Sequence, residues 1–511
     1  MMSNSGITGK TGFEEKWFSR GHLKADLKKR SVKGGISTVS GQVITLFFTI
    51  GSTAVMARLL APEDFGLVVM VTAFTGFISA FKDLGLSAAV IQREVITQSQ
   101  VSVLFWLNII ISFFMSLVVA LSAPLLAYLY AEEKVFNITL VFALGIFISG
   151  FSLQHNALMK RQMKFKNLAI NYILCSGISV LTGIFLAYKG YGYWAVVIST
   201  VLTPVLSTIS LWFICDWRPL FIFKFSESRP FLKFGLAITG FDLINYFSRN
   251  ADNMLIGKYL GAGALGLYSK AYQLLLLPIT QLRDPLNAVA LPALSSLQAE
   301  KEKFRQYYSN YIFLLSFFSM PLVLFLAIFS DELILIVLGD KWISASYIFK
   351  LLAVTSFIQP VASTRGAVMI STGNTKRYLI WGFANAIFVV LGFIIGIYWG
   401  IPGVAISYAI VNYLLLLPSL YYSFKDSVIT VGLFFRMIRY PLIISILSGL
   451  AMFSFRQYFV YLPALYLFFI GLLFSIIIYL SLWCLPKSGR EKLKQVYLLR
   501  QVFMKKQEKL P

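Results

Sequence analysis

The chain has 511 residues, of which 58% are hydrophobic and 13% are charged, and it carries a net charge of +23. A soluble protein of this length carries about a quarter charged residues, so the composition excludes an ordinary soluble fold and predicts a membrane protein. A large positive charge on a soluble protein would indicate nucleic acid, but in a membrane protein the distribution of charge about the spans matters more than its sum.

Apolar runs of bilayer length recur along the chain and predict about fourteen transmembrane helices. The predicted helices, numbered 1 to 14, cover residues 36–58, 65–91, 101–124, 136–158, 168–188, 192–214, 231–257, 266–290, 306–329, 344–372, 376–398, 402–423, 434–455 and 461–484. The segments between them are too short to form a soluble domain, since domains begin at about 50 residues. The sequence therefore predicts an all-α polytopic membrane protein.

Basic residues lie mainly on one side of the predicted spans. The two tails, the loops after even-numbered helices and the adjoining helix ends hold 33 of the 45 Lys and Arg residues, whereas the opposite side holds six. By the positive-inside rule, both termini are expected in the cytoplasm. The basic tails are most simply interpreted as a topology signal and an anchor for anionic lipids, with nucleic-acid binding a distant second interpretation.

Helices 1–6 and 7–12 resemble two copies of one unit. At an offset of 200 positions, MARLLAPEDFGL (56–67) aligns with IGKYLGAGALGL (256–267), which pairs Gly66 with Gly266. Six helices is an even number, so both copies run in the same direction and should be related by an axis along the membrane normal, as in parallel-repeat transporters. Two such lobes around a central cavity favour transport by alternating access.

The repeat and the topology together define the predicted domain organisation. It comprises a cytoplasmic N-terminal tail (1–33), an N-lobe of helices 1–6 (34–215), a cytoplasmic linker (216–230), a C-lobe of helices 7–12 (231–424), helices 13–14 (425–484) and a cytoplasmic C-terminal tail (485–511). Helices 13 and 14 have no counterpart in the repeat and form an appendage.

An adjacent pair of opposite charges recurs at an offset of 201, where Lys82-Asp83 in predicted helix 2 aligns with Arg283-Asp284 in predicted helix 8. Adjacent helical residues point about 100° apart, so pairing within each dipeptide is not expected. Pairing across the lobes, Lys82 with Asp284 and Arg283 with Asp83, would latch the inner gate. The alternative is that each charge reaches a loop or a lipid headgroup.

Predicted helix 7 carries charges inside an apolar run, FDLINYFSRNADNMLIGKYLG (241–261). A charge at mid-bilayer costs about 2.5–3.5 kcal/mol, so Asp242 and Arg249 nearly cancel the insertion free energy of this helix. Asp242, Asn245 and Arg249 fall on one helical face, which should line a wet cavity between the lobes. Asp252 lies nearer the outer surface.

Further buried cations in the second lobe are Lys270, Lys350 and Arg365, where Arg365 matches His155 of the first lobe. Together with Arg249 they give four cations against two acids. This excess favours an anion-binding cavity over purely structural pairing, and it makes these four cations the candidate substrate contacts.

Other kinds of site are not indicated. The three cysteines, Cys175, Cys215 and Cys484, form no CxxC pair, and the two histidines are far apart, so neither a disulfide framework nor a metal site is expected. The segment GAGALG (261–266) fits the dinucleotide pattern, but it falls in a predicted outer turn between membrane helices, where the required strand is lacking. No cofactor is predicted.

Three segments carry a family resemblance: ARLLAPEDFG (57–66), DxxLIGKxLG (252–261) and LGxYSKAYxL (265–274). The last two resemble the repeat-junction signature of bacterial polysaccharide flippases, and the first is similar to the first-lobe version. The chain thus resembles Wzx-like polysaccharide transporters of the MOP superfamily, nearest the colanic acid exporter type. Lipid II flippases and MATE drug antiporters are relatives of this family.

The resemblance implies translocation of undecaprenyl-pyrophosphate-linked oligosaccharide repeat units across the bacterial inner membrane, for capsule, exopolysaccharide or O-antigen assembly, with no enzymatic step. It also implies membrane lipids as partners and the polymerase and chain-length regulator of the same pathway as further partners. A cationic cavity suits a pyrophosphate. Because antiporters of the superfamily use proton or sodium gradients, Asp242 and Asp252 are candidates for ion coupling.

Three alternatives stay open at this stage. A MATE-like ion-coupled antiporter of small molecules would more often have an acidic cavity, and drug-resistance assays separate it from a flippase. A membrane enzyme such as a polymerase or ligase usually needs a sizeable outer loop, whereas no predicted outer loop exceeds about a dozen residues. The third alternative is a sugar-specific scaffold without transport.

Overall fold

The structure is a computed structural model that describes residues 17–18, 46–79, 81–83, 85–93, 95–222, 229–487 and 489–493, apart from the side chains of residues 79, 229–245, 247 and 248. Nearly all of these residues are helical. The α-helices, numbered in chain order, are α1 (Leu46–Leu59), α2 (Pro62–Ser79), α3 (Leu86–Gln92), α4 (Gln98–Tyr130), α5 (Lys134–Gly150), α6 (Leu153–Arg161), α7 (Phe165–Tyr188), α8 (Tyr193–Ile214), α9 (Arg229–Ser296), α10 (Lys301–Ile328), α11 (Ser330–Val337), α12 (Ser344–Ala362), α13 (Thr364–Ser371), α14 (Thr375–Gly396), α15 (Gly400–Phe424), α16 (Val431–Tyr458) and α17 (Ala464–Cys484).

The predicted all-α polytopic membrane fold is confirmed. In the described part of the chain, eight helices are long and apolar enough to cross a membrane, or nine if the bent pair α5–α6 counts as one span. One of the eight, Thr375–Phe424, contains both α14 and α15. Predicted helices 1, 2, 7 and 8 correspond to α1, α2 and the two halves of α9, which are shorter or more polar.

Threonine caps fix where two of the long helices begin. Thr97 accepts a hydrogen bond from the backbone N–H of Gln100 at 3.2 Å, and the Gln100 side chain accepts one from the Thr97 N–H, which completes a capping box at α4. Thr430 caps α16 by accepting from the Leu433 N–H at 3.1 Å. These caps satisfy backbone donors that the first helical turn leaves open.

The chain divides into two compact units, residues 1–266 and 267–511. The division falls within α9, whose first half packs in the first unit: the Tyr246 hydroxyl donates to the Thr72 carbonyl at 2.9 Å, beside Gly76. A methyl group on Gly76 would lie 2.1 Å from that hydroxyl, so glycine is needed there. The predicted boundary between the two lobes, at 216–230, is defined by the sequence repeat and not by packing, and it stays a prediction.

The appended helices α16 and α17 are joined to the second unit in its apolar interior. Phe313 and Phe317 of α10 pack with Ile444 of α16 and with Tyr479 and Trp483 of α17. The Tyr479 hydroxyl also donates to the Phe317 carbonyl at 2.8 Å. Helices 13 and 14 of the prediction are therefore part of the packing of this unit, although they lie outside the repeat.

An ion-pair network ties α16 to the second unit at the end predicted to face outward. Arg456 donates to Glu332 at 2.8 Å and to Asp331 at 2.7 Å, and Lys350 donates to Asp331 at 2.7 Å. The Glu332 side chain is only 7% exposed. Because two cations meet two acids here, the network is neutral and can lie partly buried.

Arg456→Ala is expected to lower the free energy of unfolding by about 1–3 kcal/mol, because it leaves the buried Glu332 carboxylate without its donor. Thermal unfolding in detergent should show the lower Tm. The exposed Lys341, from the same end of the unit, provides the control. Equal Tm values for Arg456→Ala and Lys341→Ala would contradict a stabilising role for the network.

The network should also be sensitive to acid. Burial raises the pKa of Asp331, but the hydrogen bonds from Lys350 and the charge of Arg456 lower it by more, so the pKa lies below its ordinary value. A carboxyl whose pKa is lowered by folding stabilises the protein above its unfolded pKa, and this stabilisation disappears as the pH falls through the folded pKa. The Tm difference between the wild type and Asp331→Asn should therefore stay constant from about pH 7 to 5 and shrink below about pH 4. A difference already lost by pH 6 would contradict this assignment.

Candidate functional site

The fourth predicted helix of the first unit is interrupted. α5 and α6 meet at an angle of 44° around Phe151 and Ser152. Serine hydroxyls satisfy backbone carbonyls at the bend: Ser149 donates to Ile146 at 2.7 Å, and Ser152 donates to the Ser149 carbonyl at 2.9 Å. Broken helices at membrane depth expose polar backbone and are a common form of binding site in transporters.

Lys82 lies at this bend. Its ammonium donates to the Ser149 hydroxyl at 3.0 Å, and the side chain is half-buried. The neighbouring carboxylate of Asp83 accepts hydrogen bonds from the N–H and the hydroxyl of Ser87, at 3.1 and 2.7 Å, at the start of α3. Asp83 therefore caps a helix, and Lys82 is left to face the bend.

The prediction that helix 2 continues to residue 91 is wrong. α2 ends at Ser79, and α3 begins at Leu86 after Gly85, which has a φ of 67°. Glycine adopts this left-handed conformation without a side-chain clash, so the chain can turn here. The pair Lys82-Asp83 consequently lies on a link between helices rather than inside a membrane helix.

The second unit contains a weaker counterpart, a one-residue irregularity at Ser363 within the continuous span Ser344–Ser371, where the dihedral angles of Ser363 stay helical. α12 and α13 meet at Ser363, and the Arg365 guanidinium donates to the Ala362 carbonyl at 3.0 Å, next to this junction. Beside it, the buried Tyr308 hydroxyl shares a hydrogen bond of 3.0 Å with the hydroxyl of Thr364. Each unit thus places one cation and several hydroxyls beside the fourth helix of its repeat, at the bend between α5 and α6 in the first unit and at Ser363 in the second.

Neither Lys82 nor Arg365 forms a direct ion pair in the described part of the chain, although Asp83 adjoins Lys82 and acts on its charge. Among the residues whose side chains the structure describes, no acid lies within 4.0 Å of either cation. In the first unit, the half-helix α6 adds the partial positive charge of its N-terminus. Both arrangements favour an anion.

The predicted site residues of α9 lie in different environments. Arg249 is exposed, whereas Asp252 is buried and accepts a hydrogen bond from the Asn253 N–H at 2.8 Å. The side chain of Asp242 lies outside the described residues. Arg249 is therefore accessible to a solute, while Asp252 is held within the packing of the first unit.

Two further predicted cations have partners of their own. Lys270 is half-buried and donates to the side chain of Gln273 at 3.0 Å. Lys350 forms the ion pair with Asp331 described above. Asp331 lies just beyond a predicted helix and is therefore absent from the predicted count, so the cation excess of the C-lobe (231–424) is smaller than predicted.

The expectation that the adjacent charges of each dipeptide do not pair is wrong for Arg283. Its guanidinium donates to the Asp284 carboxylate at 2.9 and 3.0 Å. The arginine side chain is long enough to turn back over its exposed neighbour, although the two Cα–Cβ bonds diverge. The crosswise latch with Lys82 and Asp83 stays a prediction.

Sequence analysis missed several buried polar residues near the first break. Asn108, Ser112 and Gln154 are 0% exposed, and their side-chain polar atoms have no hydrogen-bond partner among the described residues. Ser112 lies against Gly150, where a methyl group would come within 2.5 Å of its hydroxyl. The available signal was an amide side chain within an apolar run, since such groups are costly in a membrane interior.

The start of α2 and the middle of α9 approach each other with reciprocal geometry. A methyl group on Gly66 would lie 1.8 Å from the carbonyl oxygen of Ala262, and one on Gly266 would lie 1.9 Å from that of Pro62. Both pairs follow the same offset of 200 positions. The aligned segments thus contact each other as expected for two elements related by a local twofold axis.

The predicted turn at 261–266 is reduced to one residue. In α9 only Gly261 has non-helical dihedral angles, with φ of 84° and ψ of 176°, and the chain is helical again from 262. Because α9 is helical again directly after Gly261, residues 262–266 lie in the helical turns that contact α2. A six-residue loop would have put Ala262 and Gly266 out of register for the reciprocal contact.

Comparison with known proteins agrees with these features. A sequence model of a family described as polysaccharide biosynthesis protein matches residues 55–347, more than half of the chain. The chain is 28% identical to the teichuronic acid biosynthesis protein TuaB of Bacillus subtilis, over 74% of this chain and 79% of TuaB. It is 22% identical to the lipopolysaccharide biosynthesis protein WzxC of Escherichia coli, over 83% of this chain and 89% of WzxC.

Two solved structures share the fold. The lipid II flippase MurJ in an inward closed conformation superposes with a TM-score of 0.71 at 17% identity, covering 88% of this chain and 98% of MurJ. An inward-facing MATE multidrug transporter of the MOP superfamily gives a TM-score of 0.60 at 16% identity, covering 76% and 97%.

The relatives and the shared fold confirm the predicted resemblance to Wzx-like polysaccharide transporters of the MOP superfamily. The matched residues include the reciprocal glycines, Lys82 and the first break. By this match over more than half of its length, the chain belongs to the family of polysaccharide biosynthesis proteins.

Proposed function

We propose that this protein moves an undecaprenyl-pyrophosphate-linked oligosaccharide repeat unit from the cytoplasmic to the periplasmic leaflet of the bacterial inner membrane, for capsule, exopolysaccharide or O-antigen assembly. The observation that carries the proposal is a cation beside the fourth helix of each repeat, Lys82 at the bend between α5 and α6 and Arg365 beside Ser363. Neither cation has a carboxylate oxygen within 4.0 Å among the described side chains. Membership of the polysaccharide biosynthesis family and the fold shared with a lipid II flippase support it.

The groups around Lys82 and Arg365 can bind both parts of this polar head group, the pyrophosphate and the sugars. A pyrophosphate is an anion with several acceptor oxygens, and the planar guanidinium of Arg365 can bind two of them, whereas the Lys82 ammonium acts as a point charge. The hydroxyls of Ser149, Tyr308 and Thr364 can hydrogen-bond to sugar hydroxyls. The lipid tail can remain in the bilayer while the polar head group crosses.

Other predicted residues take secondary places in this proposal. The exposed Arg249 and the half-buried Lys270 are further candidate contacts for the phosphates or for acidic sugars. Lys350 contributes less, because Asp331 neutralises it. Asp242 and Asp252 stay the candidates for coupling transport to a proton or sodium gradient.

The proposal includes topology and partners. Both termini would lie in the cytoplasm, as the positive-inside rule predicts, and the N-lobe (34–215) and C-lobe (231–424) would alternate access to the two sides. Membrane lipids surround the protein, and the polymerase and chain-length regulator of the same pathway would receive its product.

We further propose that the reciprocal contact of Gly66 and Gly266 closes the outer side. Backbone meets backbone there, so the two segments can approach closely only while both positions are glycine. During transport, α2 would move away from the middle of α9.

Arg365→Ala and Lys82→Ala should each lower export of the polysaccharide about ten- to a hundredfold, because each removes a charge-assisted hydrogen bond to phosphate. The measurement is surface polysaccharide in a strain that lacks its own flippase, together with lipid-linked repeat units retained in the inner leaflet. Arg365→Lys should retain part of the activity.

Lys341→Ala controls for the loss of an exposed positive charge. Normal export by stably inserted Arg365→Ala and Lys82→Ala proteins would refute the proposal that these two cations bind the substrate. If these variants instead alter drug susceptibility and leave polysaccharide unchanged, the MATE-like antiporter is the correct function, an alternative with weaker support from the fold than the lipid II flippase has.

Gly266→Ala should open the outer contact, since the backbone carbonyl opposite cannot yield to a methyl group. Spin labels at Leu59 and Tyr259, both exposed and 200 positions apart, would report the opening in a background without native cysteines. We expect the distance distribution to shift outward by at least about 2 Å, the gap between the clash and ordinary van der Waals contact.

Gly263→Ala is the matched control, because nothing lies within 4 Å of the methyl group it would add on the same helix. If Gly266→Ala and Gly263→Ala give the same distances, the reciprocal contact does not hold the outer side closed.

A further inference from the structure

Two residues of the N-terminal tail lie inside the first unit. Trp17 is 0% exposed and Phe18 is 7% exposed. They pack in an apolar cluster with Leu86 of α3, Leu104 of α4 and Met159 of α6, close to Cys215 after α8. This degree of burial is unusual for a segment predicted to be a polar, basic tail.

The pocket also recognises the backbone of the dipeptide. Gln162 donates to the Trp17 carbonyl at 2.7 Å, and Arg161 donates to the Phe18 carbonyl at 3.0 Å. The ammonium of Lys164 lies 4.0 Å from the centroid of a Trp17 ring, which is cation–π geometry. The first unit therefore contacts the dipeptide in three ways: it buries both side chains, donates hydrogen bonds to both carbonyls, and places an ammonium against the Trp17 ring.

Arg161 connects this pocket to α3. Its guanidinium also donates to the carbonyls of Val90 at 2.8 Å and Arg93 at 2.5 Å, and the residue is only 2% exposed. A buried arginine needs acceptors for its donors, and the Phe18 carbonyl is one of them. Docking of the dipeptide therefore completes the environment of a residue that holds the end of α3.

We propose that Trp17-Phe18 is a tethered ligand of a binding site formed by α3, α6 and the segment 161–164. Its docking closes this end of the first unit and fixes α3. Since Asp83 caps the start of α3 beside Lys82, docking also fixes the link that carries Lys82. The inference stands on these contacts and does not depend on the proposed transport.

This role differs from lipid anchoring by the basic tail. Attraction to anionic lipids depends on the number of Lys and Arg residues and weakens with salt. Burial of two aromatic rings with hydrogen bonds to their backbone depends on Trp17 and Phe18 themselves and hardly on salt.

The test uses the three native cysteines of the full-length protein in detergent. Cys215 and Cys175 are buried, and Cys484 is exposed. Maleimide labelling, resolved by mass spectrometry for each cysteine, should show Cys215 reacting at least about tenfold faster in Trp17→Ala/Phe18→Ala than in the wild type. Gln162→Ala, which removes one hydrogen bond to the dipeptide, should give a smaller increase.

The control variant Lys28→Gln/Lys29→Gln/Arg30→Gln removes tail charge and keeps the dipeptide, so Cys215 should react as in the wild type. Unchanged labelling of Cys215 in Trp17→Ala/Phe18→Ala would overturn the proposal. A parallel increase at Cys175 would overturn it as well, because the dipeptide would then support the whole unit rather than close a local site. An increase with the charge variant alone would also overturn the proposal, because the basic residues of the tail and not the dipeptide would then protect Cys215.

Discussion

A polar group inside a bilayer must find a partner within the protein, and this constraint organises the described structure. At the bend between α5 and α6, Ser149 and Ser152 satisfy carbonyls that the interruption frees. Lys82 reaches the same hydroxyl, and in the second unit Arg365 bonds a carbonyl at the junction of α12 and α13. Lys82 and Arg365 thus each have a neutral hydrogen-bond partner within the protein and keep their charge, which can attract an anion.

The sequence repeat explains why such features occur twice. Residues 62 and 66 of α2 meet residues 266 and 262 of α9 through glycine and carbonyl contacts that differ only by exchange of the partners. A contact of this type requires equal spacing on both sides, so an insertion in either copy would destroy it. The two copies are offset by 200 positions at this contact and by 201 at Lys82 and Arg283. The spacing is therefore the same in both copies where they touch each other, and it differs only farther along the chain.

The helices and their order could be predicted from apolar runs, since hydrocarbon demands about 20 such residues for each span. The bend at Phe151 and the end of α2 at Ser79 were not predicted, because in each case apolar residues resume beyond a short polar segment and the whole run keeps bilayer length. Among the site residues, the charges were found by their cost in lipid. Their partners were missed where they are neutral, as with Ser149, or lie beyond a predicted span, as with Asp331.

Lys82 and Arg365 are held by different kinds of element, and this difference affects how each of the two cations can move. Arg365 is part of the continuous span Ser344–Ser371, so its backbone can move only with that helix. Lys82 stands on the non-helical link between α2 and α3, and the position of the link depends on α3, which Arg161 and the docked tail residues hold in turn. A shift of α3 would therefore move the Lys82 ammonium relative to the bend without bending a membrane helix. The first unit thus carries Lys82 on a non-helical link whose position can change with α3, whereas the second unit carries Arg365 on a membrane-spanning helix.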